Sequence, residues 1–275
     1  MADRNATPKP ESLPKPMLYH AASSYYSMIA RYALGLSGIE YESQLLDIHK
    51  KREQLQPWYV AINPAMTVPA LVCANQSFYS SEEILQYAQT QHPENWVEST
   101  AASDQVQTID ELVRQHYQFE VERLTFNVFM QKLPPVRLLF PKLLRKACKE
   151  LALELAQQPS NPQAIQAKLN LNEQRLAYFS SPLQQRQAQQ LELARDLIKR
   201  FPNKPTGPWL FGDLPSRADV VLLVFLARLN ALGLNNTDLV PRALMDWFAE
   251  KTQTQAFVDA DVWVKFHIWR LLTHR

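Results

Sequence analysis

Between Leu18 and Leu85, short apolar runs and helical periodicities follow one another in an order that constrains the fold more than any other stretch of the chain. Met17-Leu18-Tyr19-His20 reads as a strand, residues 21–27 as a small-residue loop, and Met28 to Leu34 as a helix with apolar positions at helical spacing. Tyr41 to Ile48 reads as a second strand, and Lys50 to Ile62 as a helix or irregular turn that Pro57 interrupts. Val68 to Cys73 and Gln76 to Phe78 form an antiparallel pair across Ala74-Asn75, and a serine-led helix runs from Ser81 to near Gln91-His92-Pro93. The result is a small α/β unit.

Three places in this unit carry chemistry. Ser23 and Ser24 stand just before the first helix, where unpaired backbone N–H groups and the positive end of the dipole favour negative charge. A free thiol has a pKa of about 8.5. A hydroxyl hydrogen bond to a charged acceptor, about 1.5–3 kcal/mol, lowers that pKa by about one or two units. Taken alone, Ser24 reads first as a plain N-cap. Pro69 opens an apolar strand, one of the places where a sheet tolerates proline. With a cis Val68-Pro69 bond, the Val68 N–H and C=O turn outward and can pair with a peptide-like ligand; with a trans bond, proline simply enters a core strand. In Tyr79-Ser80-Ser81-Glu82-Glu83, Ser80 or Ser81 caps the following helix, and such a cap offers N–H groups and a hydroxyl to a carboxylate.

In order and spacing these three pieces resemble the N-terminal domain of the glutathione transferase superfamily. The resemblance implies a thioredoxin-like α/β domain at residues 17–93 behind a flexible tail at 1–16. A linker at 94–103 and an all-helical domain at 104–275 follow. It implies glutathione as the ligand and makes Ser24, seven residues before Arg31, the catalytic thiol-activating serine. It assigns Val68 before Pro69 to the cysteinyl clamp, with Thr67 beside them also binding glutathione, and Ser81, flanked by Ser80 and Glu82, to the γ-glutamyl carboxylate. Most members place Glu or Gln where this chain has Ser80, which puts one γ-glutamyl contact in question. Gln54 and Lys51 fall where the glycine carboxylate is held, and read equally as solvated surface. Tyr25, Tyr26 and Tyr117 mark an acceptor pocket, with Tyr19, Tyr25 and Tyr26 as alternative thiol donors, while His20 reads as a packed histidine. The first loop is also similar to the zeta class and to reductive dehalogenases that carry Cys two residues after the serine. Tyr26 stands there, so isomerase and dehalogenase chemistry lose support.

Past the linker the periodicity is helical. One helix is expected from Asp104 to about Gln131, with Val113, Tyr117, Val121, Leu124 and Val128 on one face. Ser216-Arg217-Ala218-Asp219 resembles a capping box with Asp replacing Glu, leading into the apolar helix Val220 to Leu232. Between them, prolines divide three further helical stretches: Leu143 to Gln158, Gln163 to Phe179 and Leu183 to Arg200. The extra material, about 134–182, narrows the resemblance to the ganglioside-induced differentiation-associated protein subgroup, whose eukaryotic members carry a C-terminal membrane anchor. Residues 262–270 show no spanning run. Trp263, Phe266, Trp269 and Arg270 make an amphipathic patch that reads as packing back on its own domain.

Composition excludes other classes. The 275 residues, 46% apolar with a net charge of +2, suit one or two buried cores and leave no nucleic-acid footprint. No apolar run reaches the length of a membrane span, about 18 residues, and neither a secretory leader nor metal-ligand spacing is present. Two cysteines, Cys73 and Cys148, fit a reducing compartment. The expectation is a cytoplasmic, homodimeric glutathione transferase acting on a small electrophile without a metal. The alternative is a glutathione-binding or interaction module with little catalysis.

Overall fold

Four short strands make one sheet in the order β2-β1-β3-β4. β1 (Met17–His20) lies inside it and buries Leu18 and His20 on one face. α1 (Tyr25–Leu36) carries the chain back, so that β2 (Glu42–Leu45) pairs parallel with β1, Leu18 opposite Ser43. On the other side β3 (Ala70–Val72) runs antiparallel, Tyr19 opposite Ala70, and β4 (Ser77–Phe78) completes the hairpin with Leu71 opposite Phe78. The structure, a computed structural model, describes residues 15–157, 159 and 161–266. Most of the N-terminal tail, together with Trp269 and Arg270 of the expected C-terminal patch, lies outside them.

β2 is shorter than the periodicity suggests because Asp47 ends it. Its carboxylate accepts from the backbone N–H groups of His49 (3.0 Å) and Lys50 (2.8 Å), an Asx-type turn that bends the chain off the sheet. The Lys50 to Ile62 segment is a 3₁₀ turn followed by the single-turn α2 (Pro57–Val60), with Pro57 at its first position. α3 (Ser81–Gln91) packs along α1, burying Ile84, Leu85 and Ala88. The 94–103 stretch holds two 3₁₀ turns around Trp96, which is fully buried and donates its indole N–H to Ser37 Oγ at 2.9 Å.

The remainder is helical: α4 (Ser103–Gln118), α5 (Val121–Lys132), α6 (Pro134–Ala156), α7 (Pro162–Ser180), α8 (Leu183–Arg200), α9 (Arg217–Leu232), α10 (Arg242–Lys251) and α11 (Gln255–Asp259). The sheet backed by helices and followed by this bundle is the expected thioredoxin-like, glutathione transferase-like fold. Two expectations need correction. The single helix from Asp104 to Gln131 is two, α4 and α5, because Phe119 takes an extended conformation and packs its ring edge-on against Phe225 at 5.4 Å. The helix expected from Leu143 begins at Pro134 and runs through Pro141. Proline there removes one backbone bond, but Val136, Phe140 and Leu144 pack with Phe126, Met130 and Phe179, and that burial keeps the helix continuous. α9 is buried along nearly its whole length and ends at Gly233, whose φ of 72° suits a glycine C-cap.

Candidate functional site

Strand register brings the three chemistry-bearing pieces together. The Ser23-Ser24 loop leaves the end of β1 at His20. Because β3 runs antiparallel to β1 with Ala70 opposite Tyr19, the Val68-Pro69 segment lies beside that same end. β4 runs antiparallel to β3, so the chain leaves Phe78 toward Ser80 and Ser81 there as well. Two helix N-termini, those of α1 and α3, therefore open on one end of the sheet, where both dipoles favour an anion.

At the first, Ser24 is the N-cap of α1, and its Oγ accepts from the Ser27 N–H at 3.3 Å. Acceptance leaves the hydroxyl proton available to a further acceptor. Ser23 Oγ meets His49 Nε2 at 3.0 Å. Arg31 does not reach Ser24. Its Nε donates to Ala260 O (2.7 Å), Nη2 to Asp261 O (2.9 Å) and Nη1 to His20 Nδ1 (3.0 Å), fastening the loop to the helical part. A guanidinium can only donate, so His20 is the neutral tautomer that gives its Nε2 proton to Ser43 Oγ at 2.6 Å. Burial, helped by Arg31, pushes the His20 pKa down to about 3, which fits a packed histidine.

At the second piece, the Val68-Pro69 bond is cis. Thr67 is held by three bonds: Tyr59 OH donates to its carbonyl at 2.6 Å, and Asn63 Nδ2 donates to the same carbonyl (2.8 Å) and to Oγ1 (3.3 Å). Among the described residues neither the Val68 N–H nor its C=O has a protein partner. At the third, Ser80 caps α3 in a full capping box with Glu83, which accepts from the Ser80 N–H at 3.1 Å while Glu83 N–H donates to Ser80 Oγ at 3.1 Å. Ser81 is buried and its Oγ lies 3.1 Å from Tyr117 OH. Glu82 is exposed and makes no side-chain hydrogen bond among the described residues. Gln54 donates to Ile48 O at 3.3 Å and leaves its buried Oε1 unpartnered, while Lys51 stays at the surface, 3.9 Å from Glu53.

The tyrosines join the two helix ends. Tyr26 stacks on Tyr117 with ring centroids 6.4 Å apart, and Tyr25 packs edge-on to Tyr26 at 5.3 Å. Tyr25 OH bonds His116 Nε2 at 3.1 Å, a contact absent from the sequence reading. Burial raises all three phenol pKa values, that of Tyr26 to about 12, so each is a neutral donor at physiological pH.

Two cations beside the site have no local sequence signal. Arg228, buried on α9, donates Nη2 to the Ser23 carbonyl at 3.4 Å and lies 5.5 Å from the Tyr25 ring and 5.1 Å from Phe266. No carboxylate pairs with it among the described residues, and burial lowers its pKa to about 10, so it remains charged. Lys168, on α7, donates Nζ to Met66 O at 3.1 Å, immediately before the Thr67-Val68 turn. Met66 packs there against Leu151, Ile165 and Leu169, and Glu150 pairs with Arg52 at 2.5 Å. The α6–α7 hairpin thus rests on the segment that presents Val68. Cys73 and Cys148 are free thiols. Among the described residues no cluster of His, Cys, Asp or Glu could hold a metal ion, and no helix is long and apolar enough to cross a membrane.

Comparison with known proteins places this geometry. The family model of the glutathione S-transferase N-terminal domain matches residues 18–96. A zeta-class glutathione S-transferase of Euphorbia esula is 38% identical over 82 residues, which are 30% of this chain and 36% of the relative, so the chain spans about a third of that relative's length. A glutathione-S-transferase from Xylella fastidiosa superposes with a TM-score of 0.60 at 18% identity, covering 89% of this chain and 96% of its own. The theta class glutathione S-transferase of Xanthomonas axonopodis pv. citri, solved with glutathione bound, gives a TM-score of 0.57 at 15% identity over 89% of this chain and 96% of its own. Ure2p in complex with glutathione gives 0.56 at 17% over 91% and 94%. The subgroup suggested by the helical insertion is not among these matches. Residues 18–96 therefore match the glutathione S-transferase N-terminal domain, in a chain with the glutathione transferase fold.

Proposed function

We propose that this protein is a glutathione transferase that binds glutathione at the end of its sheet and activates the thiol for attack on a small electrophile. The observation that carries the reading is the convergence of two helix N-termini on one sheet end, with the partnerless Val68 backbone between them. The γ-glutamyl carboxylate takes the N-terminus of α3 at Ser80 and Ser81, and Glu82 meets the γ-glutamyl amine. The cysteinyl backbone pairs with Val68, and Gln54 offers its side chain to the glycine end. The sulfur then lies against Ser24, whose hydroxyl proton is free to donate to a thiolate. Arg228 supplies positive charge from beneath the same loop, and an opposite charge within a few ångströms lowers a pKa by about 1–3 units. Tyr25, Tyr26 and Tyr117 face the acceptor. The neighbours solved with glutathione support the ligand.

In this reading residues 17–93 bind glutathione, the helical part from 104 onward builds the acceptor side, and the protein acts as a cytoplasmic homodimer, as the resemblance implies. The test is the thiolate absorbance of glutathione on titration into wild type and Ser24→Ala near pH 7, followed by a general electrophile. A signal present in wild type and lost in the variant is the expected result. Binding without a thiolate in either protein would instead support a glutathione-binding module, a reading that Ser80 in place of the usual Glu or Gln favours. No binding at all would overturn both.

A further inference from the structure

A cavity in the helical part is lined by none of the residues assigned above. Where α6, the α7–α8 turn and the start of α8 meet, a cavity of about 350 Å³ is lined by Arg137, Arg145, Arg186, Ser180, Ser181 and Leu183 among others, with no carboxylate in its wall. Arg137 and Arg145 are exposed at its mouth, whereas Arg186 is only 4% exposed at its base.

The surroundings of Arg186 are satisfied as hydrogen bonds and unsatisfied as charge. Its Nε donates to Ser181 O at 3.2 Å and its Nη1 to Asn127 Oδ1 at 3.1 Å. The remaining contacts are to Met130 Sδ, 3.3 Å from Nη2, a weak acceptor, and to the rings of Tyr178 and Phe179, whose centroids lie 5.7 and 5.5 Å away. None of the three arginines has an ion-pair partner among the described residues, so a cluster of like charges sits around one cavity with nothing to neutralise it. Burial of an unpaired cation is unfavourable, and an anion drawn into the cavity relieves it. The α8 N-terminus adds to the same potential. It has no side-chain cap and no acid in its first turn, so the leading N–H groups carry their positive end toward Leu183 with no local anion to answer it. Ser180 and Ser181 spend their hydroxyl protons on Leu176 O and Tyr178 O, both at 2.7 Å, and so present lone pairs to a ligand hydroxyl.

We infer that this cavity binds a phosphomonoester group, with Arg137, Arg145 and Arg186 as its guanidinium ligands and the α8 N-terminus behind them. Planar guanidinium forks match phosphate oxygens bidentately, and a tetrahedral dianion can engage several forks at once in a way a single carboxylate cannot. The phosphate can belong to a soluble metabolite or to a lipid headgroup. The second source is included because Leu138, Leu139 and Leu143 on the outer side of α6 are 68%, 54% and 61% exposed, among Lys142, Lys146 and Lys149.

The experiment is calorimetric titration of the full chain with inorganic phosphate and with glycerol 3-phosphate, in parallel with sedimentation against phosphatidylcholine vesicles with and without phosphatidic acid, at about 0.15 M salt. Wild type is expected to bind saturably in at least one arm. Arg137→Ala/Arg145→Ala and Arg145→Glu, changes at exposed positions, should weaken that binding at least tenfold while leaving the circular dichroism spectrum and glutathione binding unchanged. Binding of glycerol 3-phosphate identifies a soluble source, and pelleting only with phosphatidic acid identifies a headgroup; either supports the site. No saturable binding in any arm, or binding indifferent to both variants, overturns it. Because glutathione binding is measured on the same samples, its loss in wild type would count against the proposed function and not against this cavity.

Discussion

Arg228 is the residue whose removal is most informative, because it combines burial, charge and a position under the Ser23 carbonyl. Arg228→Met should raise the pKa of bound glutathione by about one unit or more, read as a shift in the midpoint of thiolate absorbance against pH, and Arg228→Lys should restore most of it. An unchanged midpoint in the Met variant would remove Arg228 from thiol activation. His116 offers a test of a different kind. Burial pushes its pKa down to about 3 from 6.5, so the folded state binds fewer protons than the unfolded chain in that window. The stability that His116 contributes is full above pH 6.5 and is lost as pH falls toward 3. His116→Gln keeps a partner for Tyr25 OH but does not titrate. Its urea-unfolding free energy should therefore fall less steeply with acid, by about 1.4 kcal/mol per pH unit for one proton. Parallel slopes for the two proteins would show that His116 does not carry the linkage. None of this was visible residue by residue. His116 lies in an ordinary helical stretch, and only the folded chain sets it against Tyr25, 91 positions away.

At the scale of elements, the capping boxes were the most legible features, because a cap is a local bargain between a side chain and the next turn. Ser216 and Asp219 read from sequence as folding residues, and the structure shows how much they hold. Asp219 accepts from Leu210 N–H (2.8 Å), Ser216 N–H (2.8 Å) and Ser216 Oγ (2.5 Å), tying the turn at Leu210 to the start of the buried α9. Ser216→Ala should cost about 1 kcal/mol, an ordinary N-cap loss. Asp219→Ala leaves buried donors without acceptors and should cost about 2–4 kcal/mol, measured as a larger fall in the thermal midpoint with glutathione binding per folded molecule intact. Equal losses in the two variants would mean that the tie to Leu210 contributes nothing. The break between α4 and α5 shows the opposite case. The apolar positions from Val113 to Val128 keep helical spacing straight through it, so periodicity carries no sign of the interruption. Its cause, Phe119 turning toward Phe225, is a contact between helices far apart in the chain. Continuity of α6 through Pro141 has the same origin in tertiary packing.

At the scale of the whole molecule, the succession of strands and helices along the chain, the loop serines, Val68-Pro69 and the helical remainder could be read from the sequence, because each is specified by a handful of adjacent residues. Which helix faces which strand could not, since apolar periodicity says that a face is buried and not against what. The α6–α7 hairpin is the clearest instance: the sequence shows it only as extra helical material divided by prolines, yet it rests on the Met66 turn through Lys168 and a four-residue apolar cluster. That contact yields a prediction with two independent readouts. Burial, with Arg175 adding to it, lowers the Lys168 pKa from 10.5 to about 8. Between those values the folded state binds fewer protons than the unfolded chain, so Lys168 makes stability rise with pH from 8 to 10.5. Lys168→Met should flatten that rise in urea unfolding measured at pH 8 and pH 10. The variant also frees the Met66 carbonyl that leads into Thr67 and Val68, and losing one buried hydrogen bond of about 1 kcal/mol should raise the KM for glutathione about fivefold while leaving the thiol pKa where it was. A flattened pH slope with an unchanged KM would mean that the hairpin stabilises the fold without supporting the ligand site. A shifted thiol pKa would mean that Lys168 acts on the sulfur directly, and the division of labour between Arg228 beneath the loop and Lys168 behind the Val68 turn would have to be redrawn.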